Sequence, residues 1–163
     1  MKTKFILLLS IVLLLLASCS KNDSRDDFKD FNKSEFDSYK KKWFEANIQN
    51  YSFNINYFSG SQGPQNAIIT VENGENKSIE NIYGNDFYRF KSINDIYNDI
   101  EEAYKRHTVE LNNKEIRSIR IKIEYDSKLF YPKKVDYSIG YNTPIVGGYY
   151  YDFTISDFQI TNE

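Results

Sequence analysis

The chain has 163 residues, with 21 basic and 23 acidic side chains and a net charge of −2 at neutral pH. Proteins that bind nucleic acid usually present a strongly basic face, so this balance argues against nucleic acid as a partner. Cys19 is the one cysteine, which excludes an intramolecular disulfide, and the fold must be stabilised by its core. Aromatic residues make up 17% of the chain, enough to fill a core and leave some rings outside it.

The first eighteen residues have the pattern of a secretory signal peptide. Lys2 and Lys4 precede an apolar run, Phe5 to Ala17, that is interrupted by Ser10. A charged start, a short apolar centre and small residues before a cleavage site are typical of export signals. A transmembrane anchor is the alternative, but the run is shorter than the ~20 apolar residues that a spanning helix needs.

The last residues of this segment, Leu16, Ala17, Ser18 and Cys19, resemble the lipobox of bacterial lipoprotein precursors. That resemblance implies cleavage before Cys19 and attachment of diacylglycerol to its thiol. Two or more acyl chains on one residue give stable anchoring. We therefore expect an exported protein, lipid-anchored to a membrane of the bacterial cell envelope and facing the periplasm or the surface. Removal of two lysines leaves 19 basic and 23 acidic residues, a net charge of about −4.

A polar segment, residues 20–33, follows the cysteine. It holds four acidic and four basic side chains and few apolar ones. This composition predicts a flexible tether for residues 19–33, with the globular domain at 34–163. The alternative is that Phe28 and Phe31 already belong to the first helix.

The first helix is predicted from Glu35 to Ile48, where apolar residues recur at helical spacing. Ser34 and Asp37 have the spacing of a capping pair at its N-terminus. The run of lysines within the helix is interpreted as a solvated face.

Three strands are predicted next, over residues 51–57, 66–71 and 77–82, from the alternation of apolar and polar side chains. The second and third are separated by Asn73 and Gly74. This dipeptide favours a tight hairpin because both residues tolerate positive φ.

The second helix has the clearest amphipathic pattern. Ser92 and Asp95 form another capping pair, and apolar residues follow at i, i+3, i+4, i+7 and i+11 from Ile93. The cationic residues 105–107 predict its C-terminal end, because the helix dipole favours positive charge there. His107 is interpreted as a surface residue at this end rather than as a catalytic base or metal ligand, since no partners for a zinc site accompany it.

The last third of the chain again alternates apolar and polar residues. This pattern predicts strands over 119–125, 135–141 and 149–155. The alternation slips between Ile155 and Phe158, which predicts a β-bulge near Asp157.

The predicted element order is helix, three strands, helix, three strands. Consecutive strands are joined by short turns, so we expect them to pair antiparallel. The prediction is a single α+β domain, in which an antiparallel sheet of about six strands is covered on one face by the two helices. Because the two halves have the same order, a degenerate repeat is a further hypothesis.

Several segments occur in an order that resembles an uncharacterised bacterial lipoprotein family, domain-of-unknown-function family 6174. They are Trp43, NYSF at 50–53, GP at 63–64, VENG at 71–74, SINDIYNDIEEA at 92–103, YDSKLFYPKKVDYS at 125–138 and ISDF at 155–158. The resemblance implies an envelope-anchored globular domain with no established activity. Members often carry two cysteines after the first strand. These are absent here, so no redox role carries over.

Two places are candidates for a binding site. Asp126 ends a strand shortly before Tyr131 and Pro132, and its carboxylate serves either a site or the turn itself. Turn chemistry is the interpretation that we favour. Tyr150 and Asp152 are predicted on the sheet face opposite the core, because their neighbours carry the apolar alternation. They belong either to an interaction surface or to an ordinary strand.

The sequence contains no nucleophile-elbow motif, phosphate-binding glycine loop or metal-ligand set. We therefore expect no enzymatic activity, no cofactor and no metal. The favoured hypothesis is an interaction module that contacts the membrane through its lipid and binds an envelope protein or a surface polymer. The alternative is a small-ligand carrier with a pocket between sheet and helices. An enzyme is the third hypothesis, which clustered carboxylates with shifted pKa values would support.

Overall fold

The computed structural model describes residues 28–29, 31–143 and 149–161. The predicted signal peptide, Cys19 and most of the predicted tether lie outside them. Within these ranges no helix is long and apolar enough to cross a membrane. The elements are β1 (Phe28–Lys29), α1 (Lys33–Ala46), β2 (Tyr51–Ser59), β3 (Gly63–Glu72), β4 (Glu75–Gly84), α2 (Ile93–Asn112), β5 (Ile116–Tyr125), β6 (Pro132–Tyr141) and β7 (Tyr150–Ile160).

The seven strands of the described ranges form one sheet, in the order β1-β5-β6-β7-β2-β3-β4. The six long strands pair antiparallel throughout, which confirms the predicted α+β domain and its αβββαβββ order. Each half is a three-stranded meander, and β7 joins the halves by pairing with β2. At one edge of the sheet lies β4, whose pairing with β3 shifts register twice.

The two-residue strand β1 is an addition to the prediction. It pairs parallel to β5 at the other edge of the sheet, where Phe28 lies opposite Ile119. The ring of Phe31 then packs against Phe36 and Tyr104, with centroid distances of 5.6 and 4.9 Å. Phe31, which precedes the first helix, is therefore partly buried against the core.

The hydrophobic core lies between the inner face of the sheet and the two helices. In β3 the inward residues Ala67, Ile69 and Val71 are fully buried. The helices contribute large side chains that are at most 2% exposed, namely Phe36, Trp43, Ile93, Ile96, Tyr97 and Ile100. Burial of each such side chain contributes about 1.5–3 kcal/mol, so this layer supplies most of the stability of the domain.

The start of α1 differs from the prediction. Asn32, not Ser34, is the N-cap, and its side-chain oxygen accepts a hydrogen bond from the Glu35 N–H at 3.0 Å. Asp37 instead pairs with Lys33, one helical turn away. The predicted capping pair of Ser34 and Asp37 is therefore wrong. Asparagine caps a helix as well as serine does, and here it stands two residues earlier in the chain.

Two other local predictions are confirmed. Ser92 is the N-cap of α2 and accepts a hydrogen bond from the Asp95 N–H at 3.1 Å. Asn73 and Gly74 both have positive φ, at 53° and 76°, and connect β3 to β4. Positive φ at both central residues defines the type I′ hairpin turn that this dipeptide favours.

The predicted bulge in β7 is also confirmed. Along the β2–β7 pair, Ser52 faces Gln159 but Asn54 faces Ser156, so β7 carries an extra residue. Asp157 adopts a positive φ of 51° at this point. The bulge resets the alternation and turns Phe158 toward the core.

The predicted end of α2 is wrong. The helix continues to Asn112, five residues past His107. His107 is 5% exposed, because Ala103, His107 and Leu111 recur at a spacing of four and all face the sheet. The imidazole Nδ1 contacts the Glu110 carboxylate. His107 is thus a buried residue rather than the predicted surface residue.

Candidate functional site

A cleft of about 420 Å³ opens at one end of the sheet, where β2 and β6 finish and β3 and β7 begin. Its volume lies within the range of ligand sites, roughly 300–1,000 Å³. Aromatic rings supply most of its wall. The six tyrosines that line it are Tyr57, Tyr88, Tyr141, Tyr149, Tyr150 and Tyr151. We call it the tyrosine cleft.

Arg89 forms the charged centre of the tyrosine cleft. The loop between β4 and α2 presents it, and α2 presents its partner Asp99. The Arg89 Nη2 atom donates to both carboxylate oxygens of Asp99, at 3.1 and 2.9 Å, and to the Tyr149 hydroxyl at 3.3 Å. The guanidinium carbon lies 4.3 Å from the ring centroid of Tyr151, a cation–π contact. These contacts hold the side chain in one orientation.

The ionisation of these groups suits hydrogen bonding. Burial raises the pKa of Tyr151, and the neighbouring Asp99 carboxylate raises it further. Its hydroxyl therefore stays protonated and donates to Asp99 at 3.1 Å. Burial alone would lower the pKa of Arg89, but Asp99 and the nearby tyrosines outweigh it and the net shift is upward. The cleft thus holds a permanent cation that is neutralised by one carboxylate.

The rim of the cleft is formed by the turn between β2 and β3. The Gln62 side chain donates to the Tyr88 hydroxyl, and its backbone N–H donates to the Ser59 hydroxyl at 3.2 Å. Gly60 lies against Tyr150, since a Cβ atom there would stand 2.8 Å from the tyrosine ring. Its backbone N–H donates to the Tyr150 carbonyl at 3.3 Å. The turn and the first residue of β7 are therefore fixed to each other.

The structure brings Tyr150 and Asp152 together on the helix-free face of the sheet. Both border a second depression, of about 310 Å³. Tyr150 is 41% exposed and also lines the tyrosine cleft. Asp152 lies directly opposite Asp136 of β6. Partial burial, with Asp136 as the next cause, raises the pKa of Asp152. Tyr150 is thus the residue that the two depressions share.

The residues of the other candidate site lie at the opposite end of the sheet. The Asp126 carboxylate accepts hydrogen bonds from the backbone of Lys128 at 2.9 Å and of Leu129 at 2.8 Å. Tyr131 is 5% exposed, and its ring stacks on Phe158 at a centroid distance of 4.4 Å. Pro132, also buried, begins β6. These groups are engaged in the turn and the core.

A third depression, of about 460 Å³, adjoins the tyrosine cleft and shares Tyr141 and Tyr149 with it. His107 and Glu110 line it.

Among the residues that the structure describes, no group of three His, Cys, Asp or Glu side chains is placed to hold a metal ion. The tyrosine cleft offers a ligand aromatic faces, tyrosine hydroxyls and one paired guanidinium.

The family of unknown function DUF6174 matches residues 35–160 of the chain. The chain belongs to this family. The matched range runs from the first turn of α1 to the end of β7, so it includes every residue of the tyrosine cleft. No curated protein and no solved structure matches the chain.

Arg89 and Asp99 are site residues that the sequence patterns do not predict. A signal for each was present: Arg89 stands between Tyr88 and Phe90 in a loop, and Asp99 borders the apolar stripe of α2, three residues after Ile96. A charge beside an apolar run marks a half-buried position that needs a partner. The sequence does not say which partner, since their contact depends on the path of the loop.

Proposed function

We propose that the protein is a membrane-anchored, non-catalytic binding module of the bacterial cell envelope, which holds its partner in the tyrosine cleft. The observation that carries this proposal is the assembled centre of the cleft, in which Asp99 fixes both Arg89 and Tyr151. The anchoring part rests on the export signal and on the resemblance of residues 16–19 to a lipobox.

The state of the cleft favours binding over catalysis. Burial raises the pKa of Tyr57 and of Tyr151, so both hydroxyls remain neutral donors at neutral pH. A general base needs a pKa near the working pH, and these shifts move away from it. Tyrosine also supplies contact area at a low cost in side-chain entropy. A rigid cleft lined by such groups loses little conformational freedom when a partner enters.

A small-ligand carrier is the second candidate, and the volume of the cleft supports it. The space between sheet and helices, where a carrier pocket was predicted, is filled by core side chains such as Phe90, Ile96 and Phe153, each at most 1% exposed. A carrier would therefore use the tyrosine cleft at the end of the sheet. The size of the bound molecule distinguishes the two functions.

Site-specific photo-crosslinking in cells tests the proposal. The full chain carries p-benzoyl-phenylalanine in place of Tyr150, and the matched control carries it in place of Ile160. Both residues are exposed, at 41% and 50%, and they stand at opposite ends of β7. We expect adducts from position 150 that are several-fold more abundant than those from position 160. Equal yields from both positions would contradict a partner in the cleft.

The anchor is tested separately with Cys19→Ser. We expect the variant to remain unprocessed or to be released from the membrane fraction, because it lacks the thiol that would be acylated. Normal processing of the variant, together with retention after high-salt and carbonate washes, would contradict lipid anchoring. Loss of the position-150 adducts in this variant would place the partner at the membrane.

A further inference from the structure

We infer that the end of the sheet that carries the tyrosine cleft lies against the membrane, with the phospholipid interface as its partner. This inference rests on the proposed lipid anchor. Three observations carry it: the direction in which the chain enters the sheet, the number of residues between Cys19 and the sheet, and the distribution of exposed apolar side chains. We call this end of the sheet the cleft end and the opposite one the closed end.

The direction of β1 shows from which end the chain enters. β5 begins at the cleft end, since its first residue, Ile116, pairs with Tyr141. β1 runs parallel to β5, with Phe28 opposite Ile119. The direction of β1 is therefore away from the cleft end, and its first residue, Phe28, is the one nearer to that end. Ile119, the residue of β5 that pairs with Phe28, is three residues after the start of β5. Phe28 therefore lies about 10 Å from the cleft end, measured along the strands.

The chain before β1 is short. Nine peptide units separate Cys19 from Phe28, and they span at most about 30 Å when fully extended. In the other direction, β5 continues for six residues from Ile119 to Tyr125 at the closed end. The closed end therefore lies about 20 Å from Phe28 along the strands. To bring that end to the membrane, the chain would have to reverse and run back along the domain. The direct path places the cleft end next to the lipid.

The cleft end also presents the side chains that suit a lipid interface. Of the eight large hydrophobic residues that are exposed in the described ranges, five lie at this end: Ile82, Tyr83, Tyr88, Tyr149 and Tyr150. Tyrosine is favoured at membrane interfaces because its ring is apolar and its hydroxyl can stay hydrated. The expected net charge of the mature chain is negative, so the contact should depend on these rings rather than on anionic headgroups.

Fluorescence quenching from the bilayer tests the orientation. The processed full-length protein is reconstituted in phosphatidylcholine vesicles that contain nitroxide-labelled lipid, with a fluorophore on Tyr83→Cys or, as the matched control, on Lys77→Cys. Both residues are exposed and stand on β4, six residues apart. Acylation consumes the Cys19 thiol, so the introduced cysteine is the single free thiol of the mature chain.

We expect several-fold stronger quenching at position 83 than at position 77, with no change between low and high salt. A second pair, Tyr88→Cys and Lys128→Cys, should give the same ranking from two loops.

Equal quenching within both pairs, or stronger quenching at 77 and 128, would overturn the orientation and leave the anchored binding module intact. Failure of the protein to remain on the vesicles would instead overturn the anchor. Protein adducts without lipid adducts from position 150 would contradict a lipid partner.

Discussion

The two ends of the sheet are both built from aromatic residues, yet one is closed and the other is open. At the closed end, Trp43, Tyr51 and Phe158 contact one another, with the indole edge-on to the Tyr51 ring at 5.6 Å and Phe158 stacked on Tyr51 at 5.3 Å. Trp43 and Tyr51 are each 2% exposed. At the cleft end, Tyr149 and Tyr150 remain about 40% exposed around a cavity of about 420 Å³.

The difference between the ends lies in what covers the rings. Helix α1 places Trp43 over the closed end, and the turn that follows β5 adds Tyr131. At the cleft end, Arg89 and its loop cover only the base of the cleft, and the outer edges of the Tyr149 and Tyr150 rings stay exposed to solvent. The same residue type is therefore buried in the core under a helix and remains exposed beside a loop. The aromatic content of a segment does not distinguish these roles.

The largest expected effect is on the closed end. Trp43→Ala should lower the free energy of unfolding by about 3–5 kcal/mol, because it empties a packed volume and leaves the Asn94 side chain without its 2.8 Å hydrogen bond from the indole. Tyr150→Ala, the matched change at the cleft end, should cost less than about 1 kcal/mol, since surface substitutions away from packed features have small effects. Urea unfolding measures both. Similar costs would abolish the distinction between the ends.

Tyr51→Phe should have the next largest effect, about 1–2 kcal/mol, because it orphans the Ile93 N–H, which donates to the Tyr51 hydroxyl at 3.1 Å in the core. Burial raises the pKa of Tyr51 to about 12, above the value near 10 of an unfolded chain. The folded state then binds more protons between these values, so stability falls as the pH rises through 12. We expect a shallower alkaline decline in the variant. An identical decline would exclude Tyr51 as a contributor.

Asp99→Asn tests the ion pair at the centre of the cleft end. The ion pair with Arg89 is partly exposed, so its loss should lower the free energy of unfolding by about 1 kcal/mol after allowance for solvent screening. The variant leaves the guanidinium without its carboxylate, so sulfate should raise the melting temperature of the variant more than that of the parent protein, which responds only to the general stabilising effect of this anion. Calorimetry in sulfate and in chloride at equal ionic strength distinguishes this from a general salt effect. An equal response in both proteins would contradict the neutralised cation.

Gly60→Ala should change the cleft with little effect on stability. The new methyl group would meet the far edge of the Tyr150 ring, which can rotate away, so the unfolding free energy should change by less than about 0.5 kcal/mol. The displaced ring should lower the yield of cross-links from a photoreactive residue at position 88. Unchanged cross-linking with unchanged stability would show that the position of this ring does not matter for binding.

The smallest expected effect concerns the helix-free face. Asp152→Asn should stabilise the protein by a few tenths of a kcal/mol at pH 7, because Asp136 and Asp152 are like charges at directly opposed positions of neighbouring strands. The pKa of Asp152 is raised in the folded state, so the cost exists above that pKa and disappears as the pH falls below about 4. Urea titrations at both pH values check the sign. A destabilised variant would contradict the repulsion.

The sequence predicted those parts of the fold that depend on local chemistry. The hairpin at Asn73 and Gly74, the cap at Ser92 and the bulge at Asp157 each follow from residues within a few positions of one another. The alternation of side chains also indicated the strands and the face that the helices cover. His107 was placed wrongly because cationic neighbours suggested a helix end, whereas the apolar spacing of four continued through it.

The cleft was harder to predict because its members are distant in the chain. Tyr57, Arg89 and Tyr151 meet only after β7 has paired with β2 and the loop before α2 has folded over them. Tyr150 was identified from strand parity alone, and nothing local linked it to Arg89. The alternation of residues along a strand predicts on which face of the sheet a side chain lies. It does not predict which residue of a distant loop will contact that side chain.

The exposed edge strand β4 has a consequence for the proposed lipid anchor. Its residues are exposed along nearly the whole strand, and its backbone could pair with a second copy. Acylated molecules that diffuse in two dimensions meet far more often than the same molecules in solution. The charges of Glu75, Lys77 and Glu80 and the two register shifts against β3 oppose such pairing. With the proposed anchor in place, such an edge would permit a dense population on one membrane without assembly into sheets.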